Sequence, residues 1–311
     1  MLRFCCANRS NSRRKAAFAH AKAMVITMKI AVLSDVHSNH FALEACLTEA
    51  EARGAEVYLF LGDYLSDCAY PEKTMAALYD WEKNHDCRFL RGNREEYLLS
   101  RRAGGETHWG PGSESGSLHY TYQNLTEQDL DWIAALPNRM TVELPGWPSL
   151  LCCHGSPQKT NGVIKPDVPE TWDVLKEVSE EVVIHGHHHQ QWDFFAHGKR
   201  VINAGSVGVN KETAQRACFL MLSCENGELM AEHLQIPYNV QGAVEELYES
   251  GLAEIAPVWA AAIRKFLLTG ENIAPKVLQR AHELHKLDTG EDGFAEETYW
   301  RQAAKELGIE L

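Results

Sequence analysis

Long apolar runs, excess positive charge and closely spaced cysteine pairs of the C-x-x-C type are all missing from this sequence. No segment approaches the roughly 18 consecutive apolar residues that a membrane-spanning helix requires, so we expect no membrane association. Acidic residues outnumber lysine and arginine by 43 to 30, which argues against a general affinity for nucleic acid or anionic lipid. The nine cysteines contain no C-x-x-C spacing, so we expect free thiols in a reducing, cytoplasmic compartment.

Composition changes twice along the chain and predicts three regions. Residues 1–28 carry six basic residues and no acidic one. We interpret them as a basic tail, either disordered or produced by an upstream start, although an organelle-targeting segment has a similar composition. Residues 29–236 form the main predicted domain. Three turn-forming sites divide residues 237–311 into three or four predicted helices, near Gly251, Gly270 and Gly290.

The main predicted domain alternates short apolar runs with helical patterns. Continuous apolar runs at residues 29–34 and 56–61 predict buried strands. Asn226-Gly227, between two later apolar runs, predicts a β-hairpin. Strands that alternate with helices and then occur in hairpins are typical of an α/β sandwich with mixed sheets, and we predict this fold class.

Five short blocks with metal-binding side chains each follow a predicted strand, where α/β sheets place their ligands. Taken singly, most of these blocks are more often turns, helix caps or hydrogen-bonded structural histidines. The exception is the fifth block, where four histidines within residues 185–189 favour a metal site. The candidate ligands in chain order are Asp35, His37, Asp63, Asn93, His154, His187 and His189.

In this order, the blocks Asp-x-His, Gly-Asp, Gly-Asn, His-Gly and Gly-His-x-His resemble those of the calcineurin-like metallophosphoesterase superfamily. The resemblance covers about residues 29–236. Residues 125–137 and 203–208 are similar to its bacterial and archaeal predicted-phosphoesterase branch. The resemblance implies a four-layer α/β/β/α sandwich of two mixed sheets, followed here by the helical C-terminal region. It also implies hydrolysis of a phosphodiester, phosphoanhydride or phosphomonoester in a small molecule or nucleotide.

The resemblance further implies a role for each candidate ligand. A first divalent metal ion would be held by Asp35, His37 and His189. A second would be held by Asn93, His154 and His187. Asp63 would bridge the two ions, which would activate a hydroxide to attack phosphorus. The nitrogen and oxygen donors favour Mn²⁺, with Fe, Zn²⁺, Co²⁺ or Ni²⁺ as alternatives. His185 and His188 receive no ligand role, although an extended strand would point His185 to the same side as His187 and His189.

One position departs from the superfamily pattern. The third block commonly reads Gly-Asn-His, and that histidine donates a proton to the leaving group, whereas this chain has Arg94. Arginine stays protonated at neutral pH and cannot be the acid, although it can bind phosphate oxygens, with Glu95 expected to orient it. We therefore predict a preference for good leaving groups, unless His40 or His119 supplies the proton. The predicted catalytic residues are Asp63, Asn93, Arg94 and His154.

Other functions remain open at this point. A protein phosphatase would use the same centre on a different substrate. A scaffold, such as the retromer subunit that resembles this fold, would bind protein partners without hydrolysis, but all seven ligand positions are filled here. A nuclease would need cationic residues, whereas residues 238–311 hold 13 acidic and 7 basic ones. The C-terminal helices could pack on the main domain, cap the active site or form a homo-oligomer.

Overall fold

Ten strands and eleven helices occur in residues 28–105 and 108–311, which are the residues that the computed structural model describes. The predicted basic tail, apart from Met28, lies outside the described residues. The strands are β1 (Lys29–Leu33), β2 (Val57–Phe60), β3 (Asp86–Phe89), β4 (Arg139–Val142), β5 (Leu150–Cys153), β6 (Val182–His185), β7 (Gln191–Ala196), β8 (Lys199–Ala204), β9 (Arg216–Glu225) and β10 (Glu228–Pro237). The helices are α1 (His40–Ala52), α2 (Pro71–Asn84), α3 (Asn93–Arg102), α4 (Gly116–Gln123), α5 (Glu127–Ala135), α6 (Pro169–Lys176), α7 (Val240–Glu249), α8 (Leu252–Ile255), α9 (Pro257–Thr269), α10 (Ala274–Thr289) and α11 (Glu297–Glu306).

Two mixed five-stranded sheets form the centre of the fold. The first has the strand order β10-β9-β1-β2-β3, and the second has the order β4-β5-β6-β8-β7. In the first sheet β1, β2 and β3 are parallel neighbours, and in the second β5, β6 and β8 are parallel neighbours. The carboxyl ends of the parallel strands therefore meet at one edge of each sheet, and the candidate ligands follow there.

Strand β1 illustrates the layered packing. On one face Ala31 shares a hydrophobic cluster with Leu43 of α1, and on the other face Ile30 shares a cluster with Ile184 of the second sheet. On the far side of the second sheet, a further cluster contains Leu175 of α6. Because both faces of β1 are covered, its sequence is a continuous apolar run rather than an alternating one. The predicted four-layer sandwich of two mixed sheets is confirmed.

Three elements depart from the sequence prediction. The edge strand β7 has no clear alternation, since Phe195 is 75% exposed, and the pattern did not predict it. Helix α4 follows a Gly/Ser-rich stretch, and the sequence pattern did not predict it. A helix this short is marginally stable alone, and Tyr120 stabilises α4 by packing into a tertiary cluster. Residues 237–311 contain five helices instead of three or four, since Pro257 separates α8 from α9.

The C-terminal helices pack on the main domain. Leu247 of α7 and Phe266 of α9 share a buried cluster with Cys68, in the segment after β2, and with Val209, in the segment after β8. A second cluster, which includes Trp300 of α11, joins α9, α10 and α11 to one another. Helices beyond the last strand therefore lie beside the segment after β2, which carries the candidate ligand Asp63.

The structure also bears on the compartment and membrane predictions. All seven cysteines within the described residues are free thiols, and six of them are buried. Among the helices of the described residues, none is both long and apolar enough to cross a lipid bilayer.

Candidate metal centre

Six of the seven candidate ligands form two groups, and within each group the ligand atoms lie within 4.8 Å of one another. The first group is Asp35, His37 and His189. The second group is Asp63, His154 and His187. Each group joins the two sheets, because its aspartate follows a strand of the first sheet and at least one of its histidines follows a strand of the second. Residues more than a hundred positions apart therefore meet at one place.

The two groups adjoin through carboxylate oxygens. Asp63 Oδ2 lies 3.2 Å from His154 Nε2 and 3.9 Å from His37 Nε2. Asp35 Oδ1 lies 3.1 Å from His189 Nε2 and 3.9 Å from His154 Nε2. Each aspartate thus approaches histidine nitrogens of both groups, which is the arrangement that a ligand shared by two cations needs.

Outer hydrogen bonds orient two of the histidine rings. His154 Nδ1 lies 2.7 Å from the carbonyl oxygen of Leu61, and His189 Nδ1 lies 3.1 Å from that of Val209. A carbonyl only accepts, so Nδ1 of each ring donates and Nε2 faces the groups. His37 Nε2 lies 3.1 Å from His189 Nε2, and two ring nitrogens this close need a proton or a cation between them.

Several buried polar atoms in this region have no partner in good hydrogen-bond geometry among the described residues, and three of them belong to candidate ligands and face the two groups, namely Asp35 Oδ1, Asn93 Oδ1 and His154 Nε2. Each unpaired buried polar group costs about 1–3 kcal/mol, so three of them together indicate a place for a ligand. Nitrogen and oxygen donors of this kind bind divalent cations such as Mn²⁺, Zn²⁺ or Fe²⁺. The residues present therefore fit divalent metal ions.

Burial disfavours the charged forms of the side chains in both groups. The attraction between neighbouring acidic and histidine side chains outweighs this effect on their pKa values. Burial raises the pKa of Asp35, yet His189 and His154 hold that pKa well below its usual value. Burial lowers the pKa of His37, yet Asp67 raises it to about 10. The adjacent aspartates likewise overcome burial and raise the pKa of His154 to about 9. Protons on the histidines thus balance the carboxylates, and divalent cations would replace these protons.

The other histidines of the fifth block are held neutral. Burial lowers the pKa of His185 well below its usual value, and its Nε2 accepts a hydrogen bond of 3.1 Å from Trp192 Nε1. Burial and then His187 lower the pKa of His188 to about 3, and its Nε2 accepts from the Ile164 N–H. Burial also lowers the pKa of His187 to about 4, which leaves its ring neutral for binding a cation. His185 and His188 belong to neither group within the described residues.

Backbone strain is concentrated in the candidate ligands. Five of them adopt left-handed backbone conformations, with φ values of 56°, 50°, 53°, 67° and 57° for Asp35, His37, Asp63, His187 and His189. Such conformations cost about 1–3 kcal/mol each and persist where the surrounding structure enforces them, most often at functional sites.

Two glycines let neighbouring loops approach closely enough to position Asp63. A Cβ on Gly92 would lie 2.2 Å from Asp63 Oδ1, and a Cβ on Gly62 would lie 2.3 Å from the Gly92 nitrogen. Glu95 then joins the two loops. Its buried carboxylate accepts hydrogen bonds of 2.8 Å from the N–H groups of Gly92 and Asp63 and of 2.9 Å from that of Tyr64.

Asp67 holds the Arg94 side chain, so the expectation that Glu95 orients it is wrong. Arg94 Nη2 donates to Asp67 Oδ2 at 3.1 Å, and the same oxygen lies 3.1 Å from His37 Nδ1. Burial raises the pKa of Asp67, but Arg94 and His37 overcome this and lower it to about 2. The Arg94 backbone N–H donates to Asp63 Oδ1 at 2.8 Å. Sequence reasoning missed Asp67 because it belongs to none of the five blocks.

The two candidate proton donors have contacts elsewhere. His40 Nε2 lies 2.9 Å from Glu246 Oε2, so this ring links α1 to α7. His119 is partly exposed on α4, and burial and then Arg101 lower its pKa. Within the described residues, neither ring bonds to a member of the two groups.

The calcineurin-like phosphoesterase superfamily domain matches residues 28–227. The chain belongs to this superfamily. It is therefore a metal-binding hydrolase that acts on phosphoric ester bonds, and its superfamily acts on small phosphorylated substrates with divalent metal ions. Helices α7 to α11 lie beyond the matched residues.

Relatives from archaea and bacteria share the fold at low identity. An uncharacterized protein of Methanocaldococcus jannaschii is 21% identical over 252 residues, which cover 74% of this chain and 96% of that protein. A hypothetical protein of Pyrococcus horikoshii has a similar structure with a TM-score of 0.66, 20% identity and coverage of 78% and 99% of the two chains. For a metallophosphoesterase of Sphaerobacter thermophilus, the TM-score is 0.60, the identity 19% and the coverage 79% and 100%.

Proposed function

We propose that this chain is a phosphodiesterase that uses two divalent metal ions to hydrolyse a small phosphodiester or phosphoanhydride, such as one in a nucleotide. The observation that carries the proposal is the convergence of histidine Nε2 atoms and two buried carboxylates from both sheets. The Arg94 guanidinium, bound to Asp67 beside His37, adds a cation suited to phosphate oxygens.

The proposed ligands divide between two ions. One ion is held by Asp35, His37 and His189. The other is held by Asn93, His154 and His187, and Asp63 contributes to both. Bound ions of this kind polarise phosphoryl oxygens and lower the pKa of a water from about 15.7 toward about 7. The nitrogen and oxygen donors support Mn²⁺, and the free thiols support a reducing cytoplasmic location.

Arg94 binds the phosphate group and does not transfer a proton. Its pKa is raised further above its already high value, mainly by Asp67 acting against burial, so it stays charged at neutral pH. The leaving group then departs without a proton from this position, which favours phenolates and phosphates over alkoxides. His40 is engaged by Glu246, and we assign it no proton-transfer role.

The test is an assay of the full chain after metal has been stripped and Mn²⁺ added back. Bis(p-nitrophenyl) phosphate and p-nitrophenyl phosphate serve as diester and monoester. We expect Mn²⁺-dependent hydrolysis that favours the diester and is lost in Asp63→Asn and His187→Ala. The control His197→Ala removes an exposed histidine of the β7–β8 turn and should keep full activity.

The outcomes separate the alternatives. Two bound ions per chain with preferential monoester hydrolysis would refute the diester assignment and favour a phosphatase. Absence of both metal binding and hydrolysis would refute the enzyme and revive the scaffold function.

A further inference from the structure

A cavity of about 180 Å³ opens beside the candidate metal centre. At its polar end lie Asp67, Arg94 and His189. Most of the remaining lining is apolar, and α9 contributes Trp259, Ile263 and Phe266 to it. The cavity therefore combines a phosphate-binding cation with an apolar compartment.

The apolar wall is fixed in place by the main domain. Ile263 and Phe266 share a buried cluster with Cys68 and Val209. Cys68 follows Asp67 in the chain, and Val209 itself lines the cavity. Val209 also accepts the outer hydrogen bond of a candidate ligand, since its carbonyl oxygen faces His189 Nδ1. Helix α9 thus packs directly on the segments that support the centre.

Trp259 is also held from two sides. Its ring meets that of Trp300 of α11 at a centroid distance of 6.5 Å in an edge-on arrangement. At the start of the same helix, Ser113 Oγ accepts hydrogen bonds from the N–H groups of Trp259 at 3.4 Å and of Val258 at 2.9 Å. The wall is consequently preorganised, which reduces the entropy lost when a ligand binds.

We propose that this cavity binds one aromatic ring carried by the phosphate ester, so that α9 and α10 select aryl or heteroaryl phosphoesters. The proposal rests on the proposed function, because the phosphate must be bound at Arg94 for the ring to reach the wall. Size supports a single ring. Apolar cavities of about 150 Å³ bind benzene, whereas sites for whole drug-sized ligands begin near about 300 Å³.

The chemistry of the wall also supports an aromatic ring. Trp259 and Phe266 present ring systems, and aromatic pairs gain contact energy beyond the area they bury. The rest of the described lining is mostly small or aliphatic, with Ala274 and Leu278 contributed by α10. Apart from Asp67, Arg94 and His189, the polar groups of the described lining are Asn272 and the buried Trp259 indole N–H, which has no hydrogen-bond partner. They suit a ring that carries a hydrogen-bond acceptor, whereas a charged substituent would lose its hydration here without meeting a countercharge.

The test compares two non-hydrolysable ligands that share a headgroup, phenylphosphonate and methylphosphonate. Binding to the Mn²⁺-loaded full chain is measured by calorimetry, and competitive inhibition of diester hydrolysis is measured in parallel. We expect phenylphosphonate to bind about tenfold to hundredfold more tightly, as burial of one phenyl ring predicts.

Variants of the wall identify where the ring binds. Ala274→Leu fills the cavity and should bring the ratio of the two affinities to within about threefold of one, while methylphosphonate affinity stays unchanged. Leu278→Ala removes wall contacts and should weaken phenylphosphonate about fivefold. The matched control Leu287→Ala makes the same substitution at a site on α10 that is 77% exposed, and it should change neither affinity.

The results distinguish this inference from the function on which it rests. If the chain hydrolyses diesters but both phosphonates bind equally, or if Ala274→Leu and Leu278→Ala leave the ratio unchanged, the aromatic site is refuted and the phosphodiesterase stands. If the wild type neither binds Mn²⁺ nor hydrolyses any phosphoester, the proposed function fails and this inference fails with it. Unchanged methylphosphonate affinity in each variant shows that the centre itself remains folded.

Discussion

Among single residues, Asp67 connects two parts of the centre that the motifs treat separately. Its Oδ2 atom contacts both the Arg94 guanidinium and His37 Nδ1, each at 3.1 Å. A carboxylate behind a metal-binding histidine fixes the ring and raises its basicity. Asp67 thereby sets the position of the phosphate-binding cation and the orientation of a candidate ligand together.

Asp67→Asn tests this coupling. The substitution keeps the size of the side chain but removes its charge, so His37 loses the carboxylate that faces its Nδ1 atom. We expect Mn²⁺ affinity to fall by about tenfold to hundredfold in a calorimetric titration. Asp131→Asn, which removes an exposed ion pair with Arg102, serves as the control. Wild-type affinity in Asp67→Asn would show that Asp67 does not support His37.

Arg94→His tests the leaving-group argument. A histidine at this position could protonate a poor leaving group, and general acid catalysis contributes about 10²–10⁴-fold. We expect kcat/KM for an alkyl phosphodiester to rise at least about tenfold relative to that for an aryl phosphodiester. The measurement compares both substrates in both proteins. An unchanged ratio would show that the leaving group is protonated from elsewhere.

At the scale of elements, the loop between α3 and α4 fastens the C-terminal helices. Ser113 Oγ accepts from the Val258 N–H at the start of α9, where α9 has no capping side chain of its own at its N-cap. The neighbouring Glu114 accepts from Trp300 Nε1 of α11 at 3.0 Å and from His282 Nε2 of α10 at 2.8 Å. Three helices are thus bound through two consecutive residues.

Ser113→Ala removes the acceptor that caps α9 from a distant part of the chain. Loss of a helix cap costs about 0.5–2 kcal/mol, so we expect the melting temperature to fall by about 1–5 °C. Thermal unfolding followed by circular dichroism measures the change. Ser179→Ala, at an exposed serine, should leave the melting temperature unchanged. Equal stability of both variants would mean that Ser113 contributes no cap.

On the scale of the whole molecule, the candidate centre joins the two sheets. Its aspartates follow strands of the first sheet, and His154, His187 and His189 follow strands of the second. A bound ion would therefore hold both halves of the sandwich, and ions that bind only the folded state stabilise it by mass action.

Metal removal tests this linkage. We expect Mn²⁺ at about 100 times its dissociation constant to stabilise the chain by about 2.7 kcal/mol over the chelator-treated protein. The rise in melting temperature should vanish in Asp63→Asn. A matched addition of KCl controls for ionic strength. Equal melting temperatures with and without Mn²⁺ would exclude binding to the folded state.

The order of elements in the main domain was accessible from the sequence because its causes are local. Apolar runs marked the buried strands, and Asn226-Gly227 marked the turn between β9 and β10. Strand β7 was not predicted, because too little of the surface of an edge strand is buried to require alternating apolar and polar residues. Helix α4 was not predicted either, because its stability comes from tertiary packing around Tyr120.

The candidate ligands were also identifiable before the structure, since each follows a strand and parallel strands bring their carboxyl ends together. Their identity and order on the chain determined the superfamily and the type of donor atoms. The sequence by itself thus determined the fold class and which side chains are available to bind metal.

Only the tertiary structure decided what surrounds those side chains. Asp67 pairs with Arg94, His40 pairs with Glu246, and α9 closes a cavity beside His189. These contacts join segments separated by long stretches of chain, and no local pattern encodes them. They depend on how the sheets and the C-terminal helices pack, because side-chain distances of 3 to 4 Å are set by the complete arrangement of the core.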